Sequence, residues 1–103
     1  MDVSILKKDG SLEIFDVSKI VKGIKKAINE NTISPEEVED FAEGVERYVI
    51  NSEEPVTSKE IGKMILDWLK TKDPLAYIRF ASVYKEFKDL KDIREEIDKL
   101  EKF

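Results

Sequence analysis

The side chains best suited to chemistry lie near the start of the chain, on either side of a tight Asp-Gly turn. Lys7 and Lys8 precede the turn, and the carboxylates of Glu13 and Asp16 follow it. Ammonium groups attract phosphate, whereas carboxylates repel phosphate and accept hydrogen bonds from an amine or a sugar hydroxyl. A mixed site of this kind suits a nucleotide better than a bare phosphate. The alternative is an ordinary turn whose lysines are solvated.

Several kinds of catalysis are excluded by residue types that the sequence lacks. There is no Cys and no His, which rules out thiol nucleophiles, zinc–thiolate sites and imidazole acid–base catalysis. The glycine-rich phosphate-binding motifs GxxxxGK[ST] and GxGxxG do not occur either. A nucleotide hydrolase using Glu13 or Asp16 would still need an activated base or a metal cluster. We therefore predict that the protein is not an enzyme.

Charge is distributed unevenly along the chain, whose formal net charge is −5. Residues 1–29 have a net charge of +2, residues 30–67 of −8 and residues 68–103 of +1. Because the acidic middle would repel a polyanion, we predict no direct contact with nucleic acid. No apolar run is long enough to span a bilayer, so we predict no membrane contact and a cytoplasmic protein.

A hairpin and a set of helices must position these residues. Two β-propensity runs, 3–7 and 12–15, flank the turn, and 55–57 could add a third, edge strand. Apolar residues at helical spacing and strong capping signals predict four helices. The first covers about 17–29, and the others begin at Ser34-Pro35, at Thr57 or Ser58, and at Asp73-Pro74. The predicted fold is α+β and mainly helical, a four-helix bundle capped by a small two- or three-stranded β-sheet.

Two stretches of sequence resemble the ATP-cone domain. One is ILKKDGSLEIFDVSKIVKGIKKA near the start, and the other is DPLAYIRFASVYKEFKDL near the end. ATP-cones occur at the N-terminus of many ribonucleotide reductase large subunits. They also follow a zinc ribbon in the bacterial repressor of ribonucleotide reductase genes. The resemblance implies an ATP-cone nucleotide-binding domain over residues 1–92, with 93–103 as its C-terminal helical extension.

The resemblance also implies a site for ATP or dATP, with Mg²⁺, between the sheet and the bundle. Lys7 and Lys8 would contact the phosphates, although Lys8 stands where the family usually has Arg and so lacks a bidentate fork. Glu13 and Asp16 would lie near the adenine and its amine. The other implied residues are Ile5 beside the base, Lys19 and Ile20 at the start of the first helix, Thr57 opposite the nucleotide, and Lys85 or Lys88 at the phosphates.

The function implied is that of a non-catalytic regulatory domain. Its partners would be an adenine nucleotide, further copies of itself as a homo-oligomer, and a regulated protein. Because the sequence has neither a zinc ribbon nor catalytic cysteines, we expect a free-standing or excised cone. The alternative is a degenerate cone that acts as a protein-interaction module without nucleotide. The apolar positions that either form a contact surface or fold back on the bundle are Leu90, Ile93, Ile97, Leu100 and Phe103.

Overall fold

Two short strands and five helices make up residues 3–102, the part of the chain that the computed structural model describes. The strands are β1 (Ser4–Leu6) and β2 (Leu12–Ile14). The helices are α1 (Val17–Ala27), α2 (Pro35–Asn51), α3 (Ser58–Lys72), α4 (Pro74–Tyr84) and α5 (Leu90–Glu101). This architecture confirms the prediction of a mainly helical α+β fold with a small sheet, with one helix more than the four that we predicted.

The strands form an antiparallel hairpin in which Ile5 lies opposite Glu13. The turn is made by Gly10, whose φ of 87° lies in the left-handed region that glycine adopts without strain. The segment 55–57 does not form a third strand. It makes a single parallel bridge between Leu6 and Thr57, with the Leu6 N–H donating to the Val56 carbonyl at 2.9 Å. This bridge attaches the hairpin to the start of α3.

The helix starts lie where the capping signals predict them. Ser34 and Thr57 each form a complete capping box, with Glu37 and Glu60 respectively, at the beginning of α2 and α3. Asp73 caps α4 through hydrogen bonds from the next backbone N–H groups. These bonds satisfy amide groups that would otherwise lack partners at a helix start. Helix α1, however, ends at Ala27, two residues before the predicted end.

The core lies between the first four helices. The largest side chains that are almost fully buried are Ile24, Ile33, Val38, Val45, Val49 and Leu69. Phe41 of α2 stacks on Trp68 of α3 with ring centroids 4.3 Å apart, so Trp68 is a packing residue. None of the helices within residues 3–102 combines the length and the apolar character that crossing a membrane requires.

Helix α5 is separate from α4, although apolar residues recur at helical spacing through both. The break follows Tyr84, and Glu86 there has a φ of 55°. Leu100 is half-buried against the core, whereas 72% of Leu90 and 40% of Ile97 are exposed. The helix therefore folds back on the bundle while leaving part of its apolar surface in solvent. Phe103 lies outside the described residues.

Candidate functional site

The structure places seven of the ten residues predicted to bind nucleotide around two clefts. The smaller, about 100 Å³ in volume, lies between the hairpin, α1 and the start of α3, and we call it the hairpin cleft. Five predicted residues line it, namely Ile5, Glu13, Asp16, Lys19 and Ile20. The larger, about 640 Å³, lies between the hairpin turn, α3 and α4, and we call it the lysine cleft. Two predicted residues, Lys8 and Lys85, line it.

The charged groups in the hairpin cleft already have partners within the chain. The Lys19 ammonium lies 2.6 Å from Glu13 Oε1, and this hydrogen bond lowers the pKa of Glu13 and raises that of Lys19. Asp16 Oδ1 accepts from the Ser18 N–H at 2.9 Å and from its hydroxyl at 2.7 Å. These two bonds lower the pKa of Asp16. Both carboxylates are thus held ionised, and each has a second oxygen with no donor among residues 3–102.

The residues that line the lysine cleft suit an anion, and two tyrosines, Tyr77 and Tyr84, are among them. Five lysines line it together with a single carboxylate, Asp67. These lysines are Lys8, Lys59, Lys63, Lys70 and Lys85. Asp67 is paired with Lys63 at 2.9 Å, so it neutralises only one of them. The cleft volume lies within the range of about 300–1,000 Å³ typical of small-molecule sites.

Tyr84 is the aromatic residue that forms one wall of the lysine cleft. Its hydroxyl donates to the Lys59 carbonyl at 3.1 Å, and the Lys8 ammonium lies 5.9 Å from its ring centroid. The ring also lies against Gly62, where any side chain would overlap with it. Its other side faces a third, largely apolar cleft of about 620 Å³ between α1 and α4. Tyr84 therefore separates two open spaces.

Lys85 reaches the lysine cleft from the end of α4 and is held there by α5. Its ammonium lies 2.6 Å from Glu96 Oε1 and 3.4 Å from the Tyr77 hydroxyl oxygen. Tyr77 in turn donates its hydroxyl to Glu96 Oε2 at 2.9 Å. Burial alone would raise the pKa of Glu96, but the hydrogen bonds from Lys85 and Tyr77 outweigh it and lower the pKa. Glu96 is therefore an ionised, buried carboxylate.

The remaining predicted residues lie outside both clefts. Lys7 is exposed and closes the turn through its backbone, which donates to the Ser11 carbonyl at 2.8 Å. Lys88 lines a shallow groove beside α5, so Lys85 is the one of the two that reaches the lysine cleft. Thr57 uses its hydroxyl to cap α3, accepting from the Glu60 N–H at 3.0 Å.

Our sequence analysis did not identify Lys59, Lys63 and Lys70 as candidate binding residues. They recur at intervals of four and seven residues, which places them on one face of α3. That spacing is the signal that could have found them. Tyr77 is 7% exposed and Tyr84 is half-buried, so both pack against the bundle while also lining the cleft.

The chain is similar in sequence to one protein family and to several transcriptional repressors. A family model described as the ATP cone domain matches residues 3–90. The transcriptional repressor NrdR of Kosmotoga olearia is 45% identical over 105 residues, which cover 97% of this chain and 66% of that protein. The NrdR of Carboxydothermus hydrogenoformans is 45% identical over 97 residues, covering 93% and 63%. The NrdR of Thermoanaerobacter sp. is 39% identical over 101 residues, covering 97% and 64%. The chain thus spans just under two thirds of the length of these relatives.

These relatives correct one of our predictions. We predicted no direct contact with nucleic acid, and this is wrong because the relatives are transcriptional repressors. The prediction relied on the net charge of −8 over residues 30–67, which is the sum for a stretch of sequence and not the charge of a surface. Five lysines lie together at one cleft, and two of them, Lys59 and Lys63, belong to that acidic stretch.

Proposed function

Because the chain belongs to the ATP-cone family, we propose that it is a non-catalytic regulatory domain that binds ATP or dATP. The observation that carries this proposal is the lysine cleft. It is large enough for a small molecule, rich in ammonium groups and lined by two tyrosine rings. Phosphates require positive charge, and aromatic faces suit a base or a sugar. The relatives are regulators of transcription by name, which supports a regulatory role.

In this proposal the phosphates lie in the lysine cleft and the polar edge of the base lies at the hairpin cleft. Ile5 and Lys8 are three residues apart on the hairpin, about 10 Å along an extended chain, and each lines one of the clefts. The unpaired oxygens of Glu13 and Asp16 are suited to accept from the adenine amine or a ribose hydroxyl. The hairpin cleft alone, at about 100 Å³, is too small for a whole nucleotide.

Mg²⁺ fits this arrangement as a companion of the phosphates rather than as a resident metal. Within residues 3–102, no group of three or more acidic side chains is arranged to hold a metal ion. Proteins commonly bind Mg²⁺ through substrate phosphates with one or two carboxylates. Asp67 is the carboxylate of the lysine cleft that could contribute in this way.

The first test is calorimetric titration of the chain with ATP, dATP, GTP and adenosine. We expect ATP or dATP to bind, and Lys8→Ala to weaken ATP binding by about tenfold to a hundredfold, since a charge-assisted hydrogen bond contributes about 1.5–3 kcal/mol. Adenosine binding should change little in this variant, because adenosine has no phosphates.

Two matched variants serve as controls for this titration. Lys7→Ala removes the neighbouring charge, which lines neither cleft, and Lys25→Ala removes an exposed lysine of α1. Both should affect ATP affinity less than Lys8→Ala does. The proposal fails if no adenine nucleotide binds at millimolar concentration. Sustained release of inorganic phosphate from ATP would contradict its non-catalytic part.

A further inference from the structure

Helix α5 is attached to the bundle in an unusual way. Among the described residues of this helix, the one that is buried is a carboxylate, Glu96, with 4% of its surface exposed. Burying a charge is unfavourable unless that charge is paired and hydrogen-bonded. Leu100 adds partial apolar packing, but 72% of Leu90 and 40% of Ile97 are exposed. The position of α5 therefore depends on what holds Glu96.

Glu96 is held entirely by cations and a hydroxyl. Oε1 accepts from Lys85 at 2.6 Å and also faces Lys99 at 3.8 Å. Oε2 accepts from the Tyr77 hydroxyl at 2.9 Å. Tyr77 and Lys85 belong to α4 and its C-terminal end, so these bonds fasten α5 onto α4. Without them, the Glu96 carboxylate would be more stable in water.

The groups that hold Glu96 are also walls of the lysine cleft. Both Lys85 and Tyr77 line that cleft, and 35% of the Lys85 side chain is exposed. A phosphate in the cleft would need the same Lys85 ammonium that Glu96 now uses. A triphosphate has more charge and more acceptor oxygens than a carboxylate, so it is a strong competitor for that ammonium.

We propose that the phosphates of a bound nucleotide compete with Glu96 for Lys85, so that nucleotide binding releases α5 from α4. This inference rests on the proposed function, because it takes the nucleotide as the competing anion. On release, Glu96 returns to water and Lys85 turns fully into the lysine cleft. The nucleotide site would then be coupled to the position of a whole helix through one shared ammonium group.

The direct test is amide hydrogen exchange on the full chain, with and without saturating ATP. We expect ATP to speed exchange in α5, because the open state of that helix becomes populated. Exchange in α2, whose described residues make no hydrogen bond or ion pair with Glu96 or Lys85, should not become faster. If ATP binds and exchange in α5 is unchanged or slower, the proposal is overturned. This measurement requires no substitution and is independent of whether a variant folds.

A second test removes the internal competitor. Glu96→Gln keeps the size of the side chain but loses the charge that binds Lys85. If the docked state of α5 outweighs the open state by about ten to one, this variant should bind ATP about tenfold more tightly. Its α5 should also exchange quickly without ligand. Tripolyphosphate should show the same gain, because the competition concerns phosphate oxygens alone.

The matched control is Glu95→Gln, which removes the same formal charge from an exposed neighbour in α5. We expect little gain in ATP affinity from this variant. An equal gain in both variants would show a general charge effect and would overturn the proposal. If ATP binds the unaltered chain and Glu96→Gln with equal affinity, the inference fails while the proposed function stands. If ATP binds neither chain, the proposed function itself fails.

Discussion

Tyr84 shows how one side chain can depend on a residue that has no side chain. Its ring lies against Gly62 of α3, and its hydroxyl is fixed by the Lys59 carbonyl. A glycine within a helix usually costs about 1 kcal/mol relative to alanine. At Gly62, the absence of a side chain leaves room for the Tyr84 ring. The ring can therefore form the wall between the lysine cleft and the apolar cleft between α1 and α4.

A pair of glycine substitutions tests this dependence. Gly44, in α2, has only the Arg47 side chain near the position of an added Cβ, at 3.7 Å. We expect Gly44→Ala to stabilise the protein by up to about 1 kcal/mol in urea unfolding. Gly62→Ala should instead destabilise it, because the added methyl overlaps the Tyr84 ring, and should weaken ATP binding. A gain in stability from both variants would show that Tyr84 moves aside freely.

The sequence predicted part of the grouping of the candidate binding residues, but not all of it. Glu13, Asp16 and Lys19 were predicted together and do line one cleft. Lys7 and Lys8 were predicted as one pair, and the structure separates them, since only Lys8 lies beside Tyr84. Adjacent residues near a turn can point in different directions, and the composition of the turn does not fix which of them faces the bundle.

Helix beginnings could be predicted from the sequence because each requires particular side chains. Ser34, Thr57 and Asp73 all cap helices as predicted, since a hydroxyl or carboxylate must satisfy free amide groups. The start of α5 has a signal of the same kind, since Asp89 accepts from the Asp92 N–H at 3.1 Å, and our prediction did not use it. The break that precedes α5 is harder to predict. It contains neither glycine nor proline, and it relies on Glu86 adopting a positive φ. Local backbone hydrogen bonds close this turn, among them the bond from the Phe87 N–H to the Ser82 carbonyl at 3.0 Å, and Phe87 packs against the core.

The cap of α3 supports more than one element. Thr57 also bridges to Leu6 of the hairpin, and the first turns of α3 contribute Ser58 and Lys59 to the two clefts. We expect Thr57→Ala to lower the free energy of unfolding by about 1 kcal/mol. Because the first turn of α3 would then fray, this variant should also bind ATP more weakly.

Ser34→Ala is the matched control for this cap. It removes an equivalent capping box from α2, whose first turn contributes to neither cleft. We expect the same loss of stability in urea unfolding and an unchanged affinity for ATP in titration. Equal ATP affinities in the two variants would show that the cap of α3 plays no part in the site.

At the scale of the whole molecule, the important property is the segregation of charge rather than its sum. Eleven of the 23 acidic residues lie in 30–67, and six of those eleven belong to α2. The lysine cleft lies between the hairpin turn, α3 and α4. A net charge of −5 therefore describes neither surface. This is why the charge of one stretch of sequence, residues 30–67, led us to a wrong conclusion about nucleic acid.

A link between ligand and assembly follows if α5 moves when nucleotide binds. Leu90 and Ile97 of α5 are already exposed, as is 79% of Val83 at the end of α4. Release of α5 would extend this apolar surface, and association with a second copy would cover it again. We expect ATP to increase the mass of the particle measured by light scattering after size-exclusion chromatography.

Variants with polar residues at the exposed apolar positions locate this association. Leu90→Gln should reduce the ATP-dependent increase in mass. The control is Ile50→Gln in α2, whose side chain is exposed as well, at 56%, and this variant should not reduce the increase. ATP affinity should be retained in both, since neither side chain lines a cleft. An oligomer of the same mass with and without bound ATP would instead favour an interaction module that does not respond to nucleotide. The assembly surface would then have to be independent of Glu96 and Lys85.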